Sequence, residues 1–177
     1  MKTFFTSDLH LNHSNIIKYA DRPFDDVNEM NKVIIERWNS KISNSDLVYH
    51  LGDFGFFKKH EDFEILTKRL KGKIINIKGN HDNYKIITPI YLKFETMPTY
   101  AEIRIGLIDV TLCHYAMRNW NKKHYGMAYA LVGHSHARDI ELNKDFTGLG
   151  KILDVGVDGN NFYPYEWDEI VEIMKNK

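Results

Sequence analysis

Thr3-Phe4-Phe5-Thr6-Ser7-Asp8-Leu9-His10 runs from an apolar, β-favouring segment straight into an aspartate and a histidine two residues apart. The apolar run predicts a buried strand over Thr3–Ser7, with Asp8 and His10 where it ends. Two later segments repeat that design. Leu47–Leu51 reads as a strand stopped by Gly52-Asp53, and Lys73–Lys78 as one stopped by Gly79-Asn80-His81-Asp82. Between them Met30, Val33, Ile34 and Trp38 recur at helical spacing, predicting an amphipathic helix over Val27–Ser40, entered after Asp25-Asp26. Phe63, Leu66, Thr67 and Leu70 predict another over Glu61–Leu70, ended at Gly72. Strands and helices in alternation build a parallel or mixed sheet with covering helices.

The second half is richer in strands. Leu92–Met97, Tyr100–Ile105 and Leu107–His114 read as successive strands, with Gly106 in a tight turn. Met127–Val132 is a further strand ending at Gly133, and Asp139–Leu142 and Lys151–Val157 follow. Pro164 precedes a closing helix, Tyr165–Met174. Two sheets with helices outside them accommodate this order, an α/β sandwich. No Pro/Ser-rich linker divides it, so residues 1–177 read as a single domain.

Composition narrows the function. A chain of 177 residues buries enough surface to need no disulfide or structural metal. Lys plus Arg is 24 and Asp plus Glu is 24, a formal net charge of zero, which disfavours stable nucleic-acid binding or attachment to an anionic membrane. The single cysteine, Cys113, excludes an intrachain disulfide framework and fits a reducing compartment. No run approaches the roughly 18 apolar residues of a membrane span, and Met1–His10 reaches Asp8 before an apolar leader can form. A cytoplasmic protein without membrane partners is expected.

Five of the nine histidines, His10, His81, His114, His134 and His136, fall at predicted strand ends, where open α/β sheets place their sites. Imidazole and carboxylate together, without thiolate, suit a transition metal held by nitrogen and oxygen. In Asp8-x-His10 and His134-x-His136 the two side chains share one face of an extended segment and can aim at one pocket. Asp8, His10, Asp53, Asn80, His114, His134 and His136 are too many ligands for one tetrahedral ion and suit two ions sharing a carboxylate. Singly, each motif has an ordinary reading: Asp-x-His is common, and Gly-Asp and Gly-Asn-His-Asp are turns. Their joint occurrence, each at a strand end, is what points to a metal centre. Arg118 and then Arg22 are candidate phosphate clamps, because a guanidinium fork fits phosphate. His13 is a candidate substrate contact. His50 reads as a packed core histidine, and Asp158, Asn160 and Asn161 read equally as pocket-lining residues or as a turn.

The order Asp8-x-His10, Gly52-Asp53, Gly79-Asn80-His81-Asp82, His114, Gly133-His134-x-His136 resembles the calcineurin-like metallophosphoesterase superfamily. It is most similar to short bacterial and phage members that begin with Ser-Asp-x-His and carry Tyr49-His50-Leu51-Gly52-Asp53-Phe54. The likeness runs over nearly the whole chain, about residues 3–162. It implies a four-layer α-β-β-α sandwich of two mixed sheets with flanking helices. It also implies two divalent ions, the first on Asp8, His10, Asp53 and His136 and the second on Asp53, Asn80, His114 and His134. Manganese is the expected metal, and iron, zinc or nickel also suit these donors. Two ions about 3.5–4 Å apart activate a bridging hydroxide for in-line attack on phosphorus. His81 is implied to protonate the leaving oxygen or steady the phosphoryl oxygens. Many members carry an acidic residue three positions after the bridging aspartate to orient that histidine. Here the position is Phe56, leaving the task to Asp82, to another carboxylate or to none. The expected activity is hydrolysis of a phosphodiester or small nucleotide-like phosphoester. A phosphomonoesterase or pyrophosphohydrolase on a nucleotide, and a catalytically silent metal-binding scaffold, are the alternatives. Oligomeric state is not legible.

Overall fold

In a computed structural model the chain is described over residues 1–137 and 150–177. It opens with β1 (Thr3–Thr6), α1 (Ser14–Tyr19), α2 (Val27–Lys41), β2 (Leu47–His50), α3 (His60–Thr67), β3 (Lys73–Ile77) and β4 (Phe94–Met97). It continues through β5 (Tyr100–Ile105), β6 (Ile108–Cys113), β7 (Ala128–Val132) and β8 (Ile152–Asp154). A 3-10 turn over Val157–Asn160, β9 (Tyr165–Glu166) and α4 (Trp167–Lys175) complete it. The first sheet has the order β4-β3-β2-β1-β9 and the second β5-β6-β7-β8. β1 to β4 are mutually parallel, with Thr3 opposite Leu47 and Leu47 opposite Lys73, whereas β9 runs antiparallel to β1. In the second sheet β5 and β6 form an antiparallel hairpin, and β6, β7 and β8 are parallel. Two mixed sheets with flanking helices are therefore what the sequence led us to expect.

Alternation along each strand decides which core a side chain joins. Phe4, Val48 and Ile74 point to the helical side and pack with Met30, Ile34, Trp38 and Phe63. Their neighbours Phe5, Leu51 and Ile77 point the other way and meet Val110, Leu112, Tyr129, Leu131 and Leu153 between the sheets. Trp120, Ala130, Val132 and Ile152 form a third cluster on the far face of the second sheet. α2 is capped by Asp26, whose carboxylate accepts the N–H groups of Asn28 and Glu29 at 2.7 and 2.9 Å. Such a cap stabilises a helix by about 1 kcal/mol. Among the described residues no helix is long and apolar enough to cross a membrane.

Several boundaries differ from the sequence reading. The closing helix begins at Trp167, because Tyr165 and Glu166 pair with Phe5 and Phe4 as an edge strand before the chain turns helical. Pro164, lacking an N–H, sits where such an edge strand starts. β4 begins at Phe94 because Leu92 is in the left-handed conformation (φ 55°) within the turn that joins Ile90 to Phe94. α1 was not anticipated. The strand expected over Asp139–Leu142 lies outside the described residues.

Candidate metal centre

β1, β2, β3, β6 and β7 all end at the same rim, and their following loops deliver every candidate ligand. Two groups of donors form there. Asp8, His10 and His136 offer atoms within 4.8 Å of one another, and so do Asp53, His114 and His134. The groups adjoin through Asp53, whose Oδ2 is 3.5 Å from His10 Nε2 and 3.4 Å from His114 Nε2. Asn80 joins the second group, its Oδ1 lying 2.8 Å from His114 Nε2.

The backbone bends sharply to do this. Asp8, His10, Asp53, His134 and His136 all have positive φ, between 50° and 72°, a region that costs non-glycine residues about 1–3 kcal/mol each. Two glycines permit the crowding. A Cβ on Gly79 would run into Asp53, and one on Gly133 into Ser7 and Asp8.

Asp8, Asp53, His114 and His136 are each fixed by a partner on the other side, which leaves one atom facing inward. Asp8 Oδ2 accepts the Ser7 hydroxyl at 2.5 Å and the His134 N–H at 2.9 Å, and Oδ1 is left over. Asp53 Oδ1 accepts the His81 N–H at 2.8 Å, leaving Oδ2. His114 Nδ1 is 2.8 Å from the Leu51 carbonyl and His136 Nδ1 is 2.8 Å from Asp158 Oδ2, so each ring presents Nε2 to the centre. Among the described residues five buried side-chain polar atoms lack a partner. Two of them, Asp8 Oδ1 and His10 Nε2, face each other 4.0 Å apart inside the first group. Buried polar atoms are ordinarily satisfied. Unpaired lone pairs aimed at one point, from imidazole and carboxylate, are what a divalent cation would complete.

The electrostatics agree. Burial pushes Asp8 up to about 6 and His10 down to about 2, so His10 is a neutral imidazole with a free lone pair. Burial would also raise Asp53, but the hydrogen bond and charge of His114 and the His81 N–H hold it at about 2. His114 and His136 are raised despite burial, His114 chiefly by Asp53 and His136 chiefly by Asp158. The carboxylates thus draw positive charge into the centre.

Residues 1–152 match the calcineurin-like phosphoesterase superfamily domain. The chain belongs to that superfamily. A fellow relative, the uncharacterized protein MJ1445 of Methanocaldococcus jannaschii, is 33% identical over 175 residues, 98% of this chain and 92% of its own length. The Gene 66 protein of Mycobacterium phage L5 is 29% identical over 130 residues, 64% of this chain and 62% of that one. A solved protein of unknown function, AQ665 from Aquifex aeolicus, superposes with a TM-score of 0.72 over 97% of this chain and 98% of its own, at 22% identity. That likeness shows the shared fold. Membership supports a metal-dependent phosphoester hydrolase, and the two donor groups of this phosphoesterase could hold its ions.

The remaining candidates are arranged differently. His81 lies exposed at the mouth of a cleft of about 430 Å³ that His13, Tyr19, Phe56, His134 and His136 also line. Asp82 is not its partner. That carboxylate accepts the N–H groups of Asp53, Phe54 and Gly79 and the Asn76 side chain, and is fully used in holding the loops together. Arg22 was expected on phosphate and is instead 4% exposed beneath the first group. Its guanidinium grips both oxygens of Asp158 at 2.8 and 2.9 Å and the carbonyls of Asp8 and Leu9 at 2.6 and 2.9 Å. Arg118 is exposed on the loop after His114. His50 is the packed core histidine expected, bonded through Nδ1 to Asn76. For Asp158 the sequence left pocket and turn equally open, and only the fold brings it to His136 and Arg22.

Proposed function

We propose that this site hydrolyses a phosphodiester with two divalent ions, one on Asp8, His10, Asp53 and His136 and the other on Asp53, Asn80, His114 and His134. The position of Asp53 Oδ2, about midway between His10 and His114 with its partner oxygen already occupied, supports a shared ligand. Manganese suits the mixed imidazole and carboxylate set, and the lone buried thiol of Cys113 accords with a reducing cytoplasmic setting. Once bound, such ions acidify a water toward neutral pH and offset charge on the phosphoryl group in an in-line displacement. The protein's own part is to hold the donors and to place His81. With its main-chain N–H on Asp53 and its ring 5.5 Å from that of His10, His81 stands where it can protonate the departing oxygen. His13 contacts the substrate from the cleft wall, and Arg118 meets it at the rim.

One observation carries the preference for a diester. The cleft beside the donors is walled by the exposed rings of Tyr19 and Phe56, a face for a second ester substituent. A diester carries two such substituents on phosphorus, one to leave and one to rest on that wall, whereas a monoester carries only one. Protein stripped with chelator and reloaded with manganese is expected to turn over bis-p-nitrophenyl phosphate faster than p-nitrophenyl phosphate, and neither without metal. Faster monoester turnover would replace this reading with a phosphomonoesterase. In the same assay His81→Ala is expected to lower kcat by about 10²–10⁴-fold while both ions remain bound.

A further inference from the structure

The cleft has an aromatic wall that the chemistry at phosphorus does not use. The rings of His13 and Phe56 stack with centroids 3.9 Å apart and planes 21° apart. Tyr19 meets His13 edge-on at 6.4 Å, and Tyr19 and Phe56 are 63% and 38% exposed. The wall adjoins the centre directly: the His10 ring lies 5.3 Å from that of His13 and 6.1 Å from that of Phe56. It is also held in place. Phe56 N–H donates to the Leu11 carbonyl at 2.7 Å, and Leu11 N–H to the Phe54 carbonyl at 3.1 Å, tying the loop after β2 to the one after β1.

Large aromatic rings standing in water beside a reactive centre mark a binding face. Neither of its exposed rings, Tyr19 and Phe56, is charged. Simple alkyl groups gain little from such a face. A heteroaromatic base gains most, because every nucleobase has a π face to stack, with about tenfold or more in affinity at stake per base. The departure at position 56 then has a reason. In place of the acid that the resemblance led us to expect at position 56, this chain carries a ring on the cleft wall.

We infer that His13, Phe56 and Tyr19 form a nucleobase shelf, and that the substrate is a nucleotide-containing diester with its phosphate over Asp8 and Asp53. The inference rests on the phosphodiesterase reading for the fate of the ligand, but not for its binding. The test is calorimetric titration of the manganese-loaded protein with adenosine 5′-monophosphate and with ribose 5-phosphate, which differ only in the base. The nucleotide is expected to bind about tenfold tighter or more. Phe56→Ala should bring it level with the sugar phosphate while leaving the sugar phosphate unchanged, and Phe56→Trp should restore the preference. Equal affinities in the wild type, or a preference that survives both Phe56→Ala and Tyr19→Ala, would overturn the shelf. Turnover of bis-p-nitrophenyl phosphate is scored separately. A base preference without turnover keeps the shelf and removes the phosphodiesterase; turnover without a base preference does the reverse.

Discussion

Asp158 touches no ion in the proposed arrangement, yet it sets the orientation of one ligand. It accepts from His136 Nδ1 at 2.8 Å and is clamped by Arg22, a side chain 136 positions away in sequence. A carboxylate behind a ligating imidazole fixes the tautomer and raises its basicity, and losing one costs about 10–100-fold in metal affinity. Asp158→Ala is therefore expected to weaken manganese binding at the first site by about that factor, with the second site unchanged. Titration of stripped protein with manganese, followed by electron paramagnetic resonance, separates the two; unaltered affinity at both would refute the role. The contrast with the ligands explains what was legible at this scale. Asp8, His10, Asp53 and His136 announce themselves because each sits at the end of an apolar run beside glycine or another donor. Arg22 lies in the loop between α1 and α2 and Asp158 in the 3-10 turn after β8, and their pairing exists only once those segments meet.

Among the elements, β1 and β2 are joined at their starts by a single side chain. Asp46 accepts the main-chain N–H of Lys2 at 2.8 Å, the N–H of Ser43 at 2.8 Å and the Ser43 hydroxyl at 2.7 Å. These bonds, the one from Lys2 foremost, hold its carboxyl down to about 2 from an ordinary 3.8. A carboxyl lowered on folding adds stability above its unfolded value and loses it as pH falls through the folded one. The Asp46→Ala variant should thus be about 1–3 kcal/mol less stable than wild type near neutral pH. The gap should close as pH falls from about 4 toward 2. Urea unfolding of both proteins at several pH values measures that gap, and a gap independent of pH would count against the charge as its source. β2, β3 and β7 were readable because each is a largely apolar run with a glycine stop soon after it. β9 was not, since two residues carry no pattern and its pairing to β1 is decided 160 residues away. Nor was α1, a six-residue helix whose N-cap His13 makes no side-chain capping bond.

At the scale of the whole molecule, the two sheets bring the carboxyl ends of their parallel strands to one rim, and three cores hold them there. The apolar cores contain none of the metal-binding candidates, so the fold should not depend on the ions. Chelated protein is expected to keep its far-ultraviolet circular dichroism and a cooperative melt, with a lower Tm that rises again with free metal concentration. Loss of secondary structure on chelation would show the opposite, a chain folded by its metal.

The left-handed backbone at Asp8, His10, Asp53, His134 and His136 bears on how quickly such a protein recovers. Those turns are held by the surrounding strands and by hydrogen bonds within the protein itself. An arriving cation is then expected to meet donors that already face it, with no chain rearrangement to await. Reactivation of the stripped protein should then follow the concentration of added metal in a single second-order phase, without the lag that a refolding step would introduce.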